Sequence, residues 1–457
     1  MSHQTDRIYS YFKSEYKKKA PKSIAQIRIG SELKFPFVTE DGTATTMNIL
    51  NDLWKYLEKK GWKPDLEQGG TVGAKKPGEK NDTVASVETG HCKPEFSMAH
   101  TADLFKMKEQ IDELKNELRP FCDKYRVHFL AYGVQPVSRP MGNLMMKKTR
   151  ASVWDGIFGP NRIIPEEDGD DVCLFTVNAA SHVHLSVPGK DMIKAVNVLN
   201  GFVGGQLGLT AHSNVWKNRL DERYKCVIDK FWDWWIPEGK RIGIPEVPFR
   251  DLRHYVEIIS EFSPVYAKRN GNPYLLRKYK TFAEYYNKKE ADVTMIDGTK
   301  TRIVPDTADI DLHNSCYWYN NRISRYFTVE NRTNDQQPPA DILVISAMTL
   351  GLMYALDEAW EELSKYDWKD IIEARDTACE HGLDETPGSS IQPYDLASSL
   401  VGICEMGLKR RDKGEEVFIE SLKKRIKKRR CPADDIEELF KKDGIGGIIR
   451  ECSFCYN

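Results

Sequence analysis

His182 and His184 stand two residues apart in Asn178-Ala-Ala-Ser-His182-Val-His184-Leu-Ser-Val187, a stretch with strand character. Side chains alternate across a strand, so both imidazoles leave from one face while Val183 and Leu185 pack behind. Two histidines with ordinary partners inside a sheet satisfy this pattern, and so does a pair that meets a metal ion or a phosphate. Three other segments repeat the arrangement. In Arg28-Ile-Gly-Ser-Glu32-Leu-Lys34-Phe35 the charges at 28, 32 and 34 share one face, opposite Ile29, Leu33 and Phe35. In Val87-Glu88-Thr-Gly-His91-Cys-Lys-Pro94-Glu95-Phe-Ser97 two carboxylates lie seven residues apart. A straight strand would send them to opposite sides, but Gly90 and Pro94 permit a bend that turns both toward one pocket. In Tyr326 to Arg332, Glu330 and Arg332 share a face just before a polar turn. Solvent contact or a cross-strand ion pair explains each segment singly. Four strands with acid or imidazole on one face are harder to explain that way together.

The charge inventory narrows the partners. Lys+Arg 67 against Asp+Glu 68 leaves a formal net charge of -1, so no global field would hold the chain on nucleic acid or an anionic membrane. The first residues, MSHQTDRIYSYFKSEYKKK, lack the apolar stretch of a signal peptide. The longest uncharged apolar run, Ile342 to Leu356, is shorter than a bilayer span and reads as a buried helix. Ten scattered cysteines lack the density of a secreted disulfide scaffold, so reduced thiols in a cytoplasm are expected. Cys452 and Cys455 form a CxxC that, with Cys431, offers part of a zinc or redox site. No second pair stands at metal-ligand spacing, and mobile free thiols are the favoured reading. No GxxxxGK[ST], no GxGxxG after a strand, no HExxH and no GxSxG occurs.

Periodicity predicts strands at 27–38, 84–88, 127–134, 172–187 and 326–332. It predicts helices at 46–60, stopped by Gly61, at 101–118, ended or kinked by Pro120, at 191–209 and at 339–366. A glycine turn is expected around Gly69, Gly70 and Gly73. Strands concentrate in the first 190 residues and helices in the last third, which favours an α+β fold. Phe231, Trp232, Trp234 and Trp235 precede a Pro/Gly-rich loop over 237–248 and read as a hydrophobic plug beneath it rather than a stacking platform. Seven charges in Lys423 to Arg430 read as the solvated face of a helix, neutralised by Asp434, Asp435, Glu437 and Glu438.

The blocks Ile29-Gly-Ser-Glu32, Ser86-Val-Glu88-Thr-Gly-His-Cys-Lys-Pro-Glu95-Phe-Ser97, Phe129-Leu-Ala-Tyr-Gly133-Val-Gln135-Pro, His182-Val-His184 and Glu330-Asn-Arg332-Thr-Asn-Asp335 follow one another in the chain. Over about residues 25–365 they resemble the glutamate-cysteine ligase family, in its plant-type and bacterial carboxylate-amine ligase branch. The resemblance implies a glutamine-synthetase-like catalytic domain over 1–370, with a curved antiparallel sheet forming a funnel and helices outside, followed by a helical extension over 371–457. It implies two or three Mg2+ ions held by Glu32, Glu88, Glu95, His184 and Glu330, with Glu88, Glu330 and Arg332 at the reacting groups. ATP is the implied co-substrate, its phosphates toward Arg322, Arg325 and Arg332. Gln135, His182, Asn214 and Arg241 fall on the substrate side. Where the family often has Glu-Pro-Gly-Gly-Gln, this chain has Glu88-Thr-Gly-His-Cys-Lys-Pro. The segment after Asn214 lacks the family's Arg-Ser pattern, leaving Arg219, Arg223 and Arg241 as alternatives.

The implied reaction is phosphorylation of a glutamate carboxylate by ATP, then displacement by the amine of cysteine or another acceptor, with no nucleic-acid or membrane partner. A γ-glutamyl or other amino-acid ligase with a different amine stands beside it. A carboxylate/His metallohydrolase would use the same ligands without nucleotide, and a binding protein with a basic tail would show salt-dependent binding and no turnover.

Overall fold

The computed structural model describes residues 2–67, 70–78, 81–146, 153, 164–236 and 240–457. Gly69 of the glycine turn and residues 237–239 of the expected loop lie outside them. The fold mixes helices with a large antiparallel sheet of eight strands: β1 (Ile29–Lys34), β2 (Lys63–Glu67), β3 (Gly70–Lys76), β4 (Thr83–Val87), β5 (Pro94–Ser97), β6 (Ala180–Leu185), β7 (Asn321–Ile323) and β8 (Val329–Asp335). Their order is β7-β8-β6-β1-β5-β4-β3-β2 and every pairing is antiparallel. A register shift falls between Asn331 and Asn334, after which β8 resumes its pairing with β6 at Ser181 and Ala180.

Alternation gives the sheet two unlike faces. Ile29, Leu33, Ala85, Phe96, Val183, Leu185 and Val329 are buried on one. Behind that face pack the helices α3 (Met192–Gly201), α4 (Val203–Thr210) and α6 (Val344–Tyr354). Earlier in the chain, α1 (Met47–Lys59) begins where the Thr46 side chain accepts the Ile49 amide, and it buries Leu50, Leu53, Trp54 and Leu57. Burial of each such side chain contributes about 1.5–3 kcal/mol. Gly61, at φ +90, takes the chain out of that helix.

Several expected elements differ in extent. The strand expected over 27–38 divides at Pro36, which has no N–H to give a ladder, and Phe37–Thr39 pairs instead with Val127–Phe129. Of the strand expected over 127–134 only 127–129 forms, and of 172–187 only β6, because Asp171–Thr176 winds into a 3-10 turn. The strand expected at 326–332 lies three residues later, as β8, after a turn in which Phe327 takes φ +62. Pro120 does not end α2, which runs from Leu104 to Tyr125 and buries Phe121 and Cys122 beyond the proline. The tertiary contacts of that last turn outweigh one missing backbone hydrogen bond. The helix expected over 191–209 breaks at Phe202 into α3 and α4, and that over 339–366 bends by 88° at Ala355 between α6 and α7 (Leu356–Leu363). No single described helix is long and apolar enough to cross a membrane.

The last third continues the same core. The helices α8 (Trp368–His381) and α9 (Pro393–Arg411) lie on α4, and α9 crosses α6 so closely that a Cβ at Gly407 would stand 1.9 Å from the Gly351 carbonyl oxygen. From α10 (Glu420–Lys428), Arg425 turns inward rather than onto a solvated face, donating to Leu209 O at 2.9 Å and to Asp341 at 2.6 Å. Arg430 pairs outside with Asp435 and Glu438. After α11 (Pro432–Cys452), Ser453 bridges to Leu130 and the Phe454 ring lies 4.6 Å from Phe35. Cys452 and Cys455 are therefore buried rather than mobile. Cys455 faces Cys122 at 3.7 Å and Cys452 faces His212, while Cys431 caps the far end of α11, so the three thiols do not meet.

Candidate active site

The second face of the sheet is ionisable. Antiparallel register sets Glu32 opposite His182, Gly30 opposite His184, Lys34 opposite Glu95, His184 opposite Glu330 and Glu330 opposite Arg322. Alternation then sends Arg322, Glu330, Arg332, His182, His184, Glu32, Lys34 and Glu95 to one side, across β7, β8, β6, β1 and β5. All line one cavity of about 1210 Å³, roomier than the 300–1,000 Å³ usual for one small ligand. Glu88 enters just past the end of β4. It keeps 43% of its side chain open, toward this cavity, while Lys34 is only 1% exposed.

Glu32 is the hub. Its Oε1 lies 3.1 Å from His184 Nε2, and its Oε2 lies 3.3 Å from His182 Nδ1 and 3.6 Å from Lys34 Nζ. Lys34 Nζ also reaches Glu95 at 3.4 Å and Glu88 at 3.8 Å. Lys93 Nζ, equally buried, donates to Phe175 O at 2.9 Å and Asn178 Oδ1 at 2.6 Å and lies 3.5 Å from Glu88. On the other flank Glu330 accepts from Arg322 Nε at 2.8 Å and Arg332 Nη1 at 2.5 Å.

These neighbours set the ionisation of the site. Burial works against charge on every carboxylate. His184 outweighs it at Glu32, Lys34 and Lys93 at Glu88, and Arg322 and Arg332 at Glu330, so all three are held below the ordinary carboxylate range. Burial and then the Glu32 charge push Glu95 up to about 7. Burial, then Lys34 and Arg332, drop His182 to about 3, whereas at His184 the Glu32 and Glu330 carboxylates overcome burial and raise it. The Glu88, Glu95 and Glu32 carboxylates likewise keep Lys34 raised against its burial.

The opposite wall is aromatic. Trp232 and Trp235, from α5 (Val227–Trp235), line the cavity with Phe175 and Trp318, and Trp232 stacks on Trp318 at 5.5 Å and 22°. The expected plug is thus only half of this patch. Phe231 and Trp234 pack on Trp216, while Trp232 and Trp235 face the site. Arg325 lines the cavity from an exposed position.

Three expected substrate residues stand elsewhere. Gln135 staples a loop, donating to Gly42 O at 3.0 Å and accepting from the Val137 and Ser138 amides. Asn214 donates to Ala433 O at 2.8 Å, and Arg241 donates to Ser263 O at 2.7 Å. None of the three lines the cavity. Of the alternatives, Arg219 pairs with Asp168 and Arg223 with Glu380. The residues that sequence reasoning passes over are Lys34 and Lys93. Alternation marks Lys34, which shares the Glu32 face, but nothing local marks Lys93.

The donor set suits a hard divalent cation. Glu32, His182 and Glu330 each offer a ligand atom, and these lie within 4.8 Å of one another. His182 Nδ1, however, already accepts from the Lys34 ammonium at 2.8 Å. His184 Nε2, 3.1 Å from Glu32 and 3.9 Å from Glu330, is the imidazole nitrogen that faces carboxylates alone.

No family model and no curated protein sequence matches the chain. Its fold is similar to a crystal structure of the glutamate–cysteine ligase of Francisella tularensis in complex with AMP. That likeness has a TM-score of 0.58 and 14% identity and covers 94% of this chain and 89% of that one, a larger share than residues 25–365 make up. It is also similar to a bifunctional glutathione synthetase from Pasteurella multocida, at TM-score 0.53 and 11% identity, covering 97% of this chain and 53% of that one. At these identities the likeness is one of fold.

Proposed function

We propose that this chain is an ATP-dependent carboxylate–amine ligase of glutamine-synthetase-like architecture that joins glutamate to cysteine, forming γ-glutamylcysteine with release of ADP and phosphate. One observation carries the reading: a continuous sheet face sets Glu32, Glu95, His184 and Glu330 beside Arg322 and Arg332 in a cavity with room for a nucleotide and an amino acid together. The fold it shares with a glutamate–cysteine ligase supports it.

A carboxylate acylates poorly until its oxygen becomes a phosphate leaving group, and phosphoryl transfer asks of a protein mainly positioning and charge neutralisation. Arg332, fixed by Glu330, presents its guanidinium to phosphate or carboxylate oxygens, and Arg322, held by Glu330 and the Tyr317 carbonyl, adds a buried positive charge beside it. Arg325 meets the nucleotide at the mouth. His182, neutral and with its proton on Nε2, donates a hydrogen bond into the cavity. Glu32, His184 and Glu330 would hold Mg2+, which supplies neutralisation of phosphate charge when bound. The tryptophan wall excludes water from the acyl phosphate.

Purified protein with Mg2+, ATP and an amino-acid panel tests the reading through ADP release and transfer of 18O from the substrate carboxylate to phosphate. ADP and labelled phosphate with glutamate and cysteine are expected. AMP alone, or no nucleotide turnover with any pair, overturns the proposal.

A further inference from the structure

The carboxylate cluster carries its own cations. Among the described residues, Lys34, Lys93, Arg322 and Arg332 stand within 4.0 Å of Glu32, Glu88, Glu95 and Glu330, four fixed positive groups for four carboxylates. Lys34 is central. From β1 its stem runs buried to an ammonium 3.4–3.8 Å from three carboxylates and 2.8 Å from an imidazole. Carboxylate oxygens and a histidine nitrogen closing on one point are the surroundings of a bound cation, and here a covalently tethered one fills it.

We propose that the Lys34 ammonium permanently occupies the place of a divalent ion among Glu32, Glu88 and Glu95, leaving only the flank formed by Glu32, His184 and Glu330 open to metal. This rests on reading the cavity as a magnesium-dependent ATP site, and it replaces the expectation of two or three ions with at most one. Geometry divides the cluster accordingly. Glu88 stands between Lys34 and Lys93, and a divalent ion entering there would meet two ammonium groups. On the other flank Glu32 Oε1 and Glu330 Oε1 face His184 Nε2, whose second nitrogen is steered by the Thr328 hydroxyl at 2.9 Å, and because Glu330 also accepts from Arg322 and Arg332 this flank has room for one ion at most. An ammonium cannot dissociate, so the Glu88 side of the cluster stays assembled at any magnesium concentration.

Counting bound Mn2+ by electron paramagnetic resonance, without nucleotide, tests the inference in wild type and Lys34→Met, a side chain of similar length without charge. Wild type is expected to bind at most one ion per chain, and Lys34→Met one more than wild type. Two or more ions in wild type, or no gain in the variant, overturns it. Stability gives a second reading. Lys34→Met should melt below wild type in EDTA, since three carboxylates lose their cation, and Mn2+ should restore at least half of the loss. A loss that Mn2+ does not recover also overturns the proposal. Two bound ions in a protein that forms ADP would refute this inference alone, whereas a gain of one ion in a protein that never forms ADP would refute the ligase reading alone.

Discussion

Lys34 Nζ donates to Nδ1 of His182 at 2.8 Å, and that one bond separates two histidines that are otherwise alike. It fixes the His182 proton on Nε2 and leaves His184 as the imidazole turned to carboxylates alone. His184→Ala is therefore expected to raise the half-saturating magnesium concentration for ADP release by about tenfold or more. His182→Gln should act mainly on the KM of the amino-acid substrate. Magnesium titrations of the two variants decide this, and the reverse ranking would count against the assignment.

Glu32 is the carboxylate with most to lose. Its two oxygens face both histidines and Lys34, so Glu32→Gln keeps the shape and removes the charge that organises them. ADP formation should fall by about two orders of magnitude or more, with the circular dichroism spectrum unchanged. Turnover within a few-fold of wild type at saturating magnesium would take Glu32 out of the site.

Much of this face is legible in the sequence because alternation is a local property. Counting in twos places Glu32, His182, His184, Glu330 and Arg332 on it. What counting cannot supply is the roof. Lys34 shows as one more charge on a polar face, and only the opposing wall of Trp232, Trp235 and Trp318 makes that face an interior where an ammonium must find partners. Lys93 lies between Cys92 and Pro94, and the two groups to which it donates, Phe175 O and Asn178 Oδ1, are more than eighty residues away, so a local window contains only its Glu88 neighbour. Pro120 misleads for the same reason, since the contacts that carry α2 past it come from elsewhere in the chain.

Gln135 and Asn214 should prove structural. Each is buried and hydrogen-bonded to backbone away from the cavity. Gln135→Ala and Asn214→Ala are expected to cost about 1–3 kcal/mol of stability through unsatisfied buried groups, with little change in KM for any substrate. Denaturation midpoints and initial rates on the same preparations would show it, and a KM change without a stability loss would return either residue to the site.

Three buried histidines should each withdraw stability as the pH falls. Burial lowers His182, His212 and His313 to about 3. Unfolded histidines bind protons below about 6.5, so between that pH and about 3 each of these three binds more proton in the unfolded chain and contributes stability that is lost as the pH falls. His313 donates to Ile259 O at 2.7 Å. His313→Gln keeps a donor and removes the titration, so its melting temperature should fall less steeply than that of wild type between pH 6.5 and 4.5. Parallel slopes would refute this.

A chain ending at residue 370 is expected not to fold. It would strip α8, α9 and α10 from α4 and α9 from α6, and with them Arg425 from Leu209 and Phe454 from Phe35. Near-ultraviolet circular dichroism of the truncated chain would lack fixed aromatic signals. A native-like spectrum would show that residues 1–370 carry their own core.

In β6 the site and the core share six residues, His182 and His184 in front with Val183 and Leu185 behind. Adding or deleting one residue there exchanges the two sets, turning imidazoles into the apolar layer and aliphatic side chains into the cavity. Substitutions can alter either face separately, but changes of length cannot. Variation by descent in this strand is therefore confined to replacement, and the freedom to gain or lose residues belongs to the turns on either side.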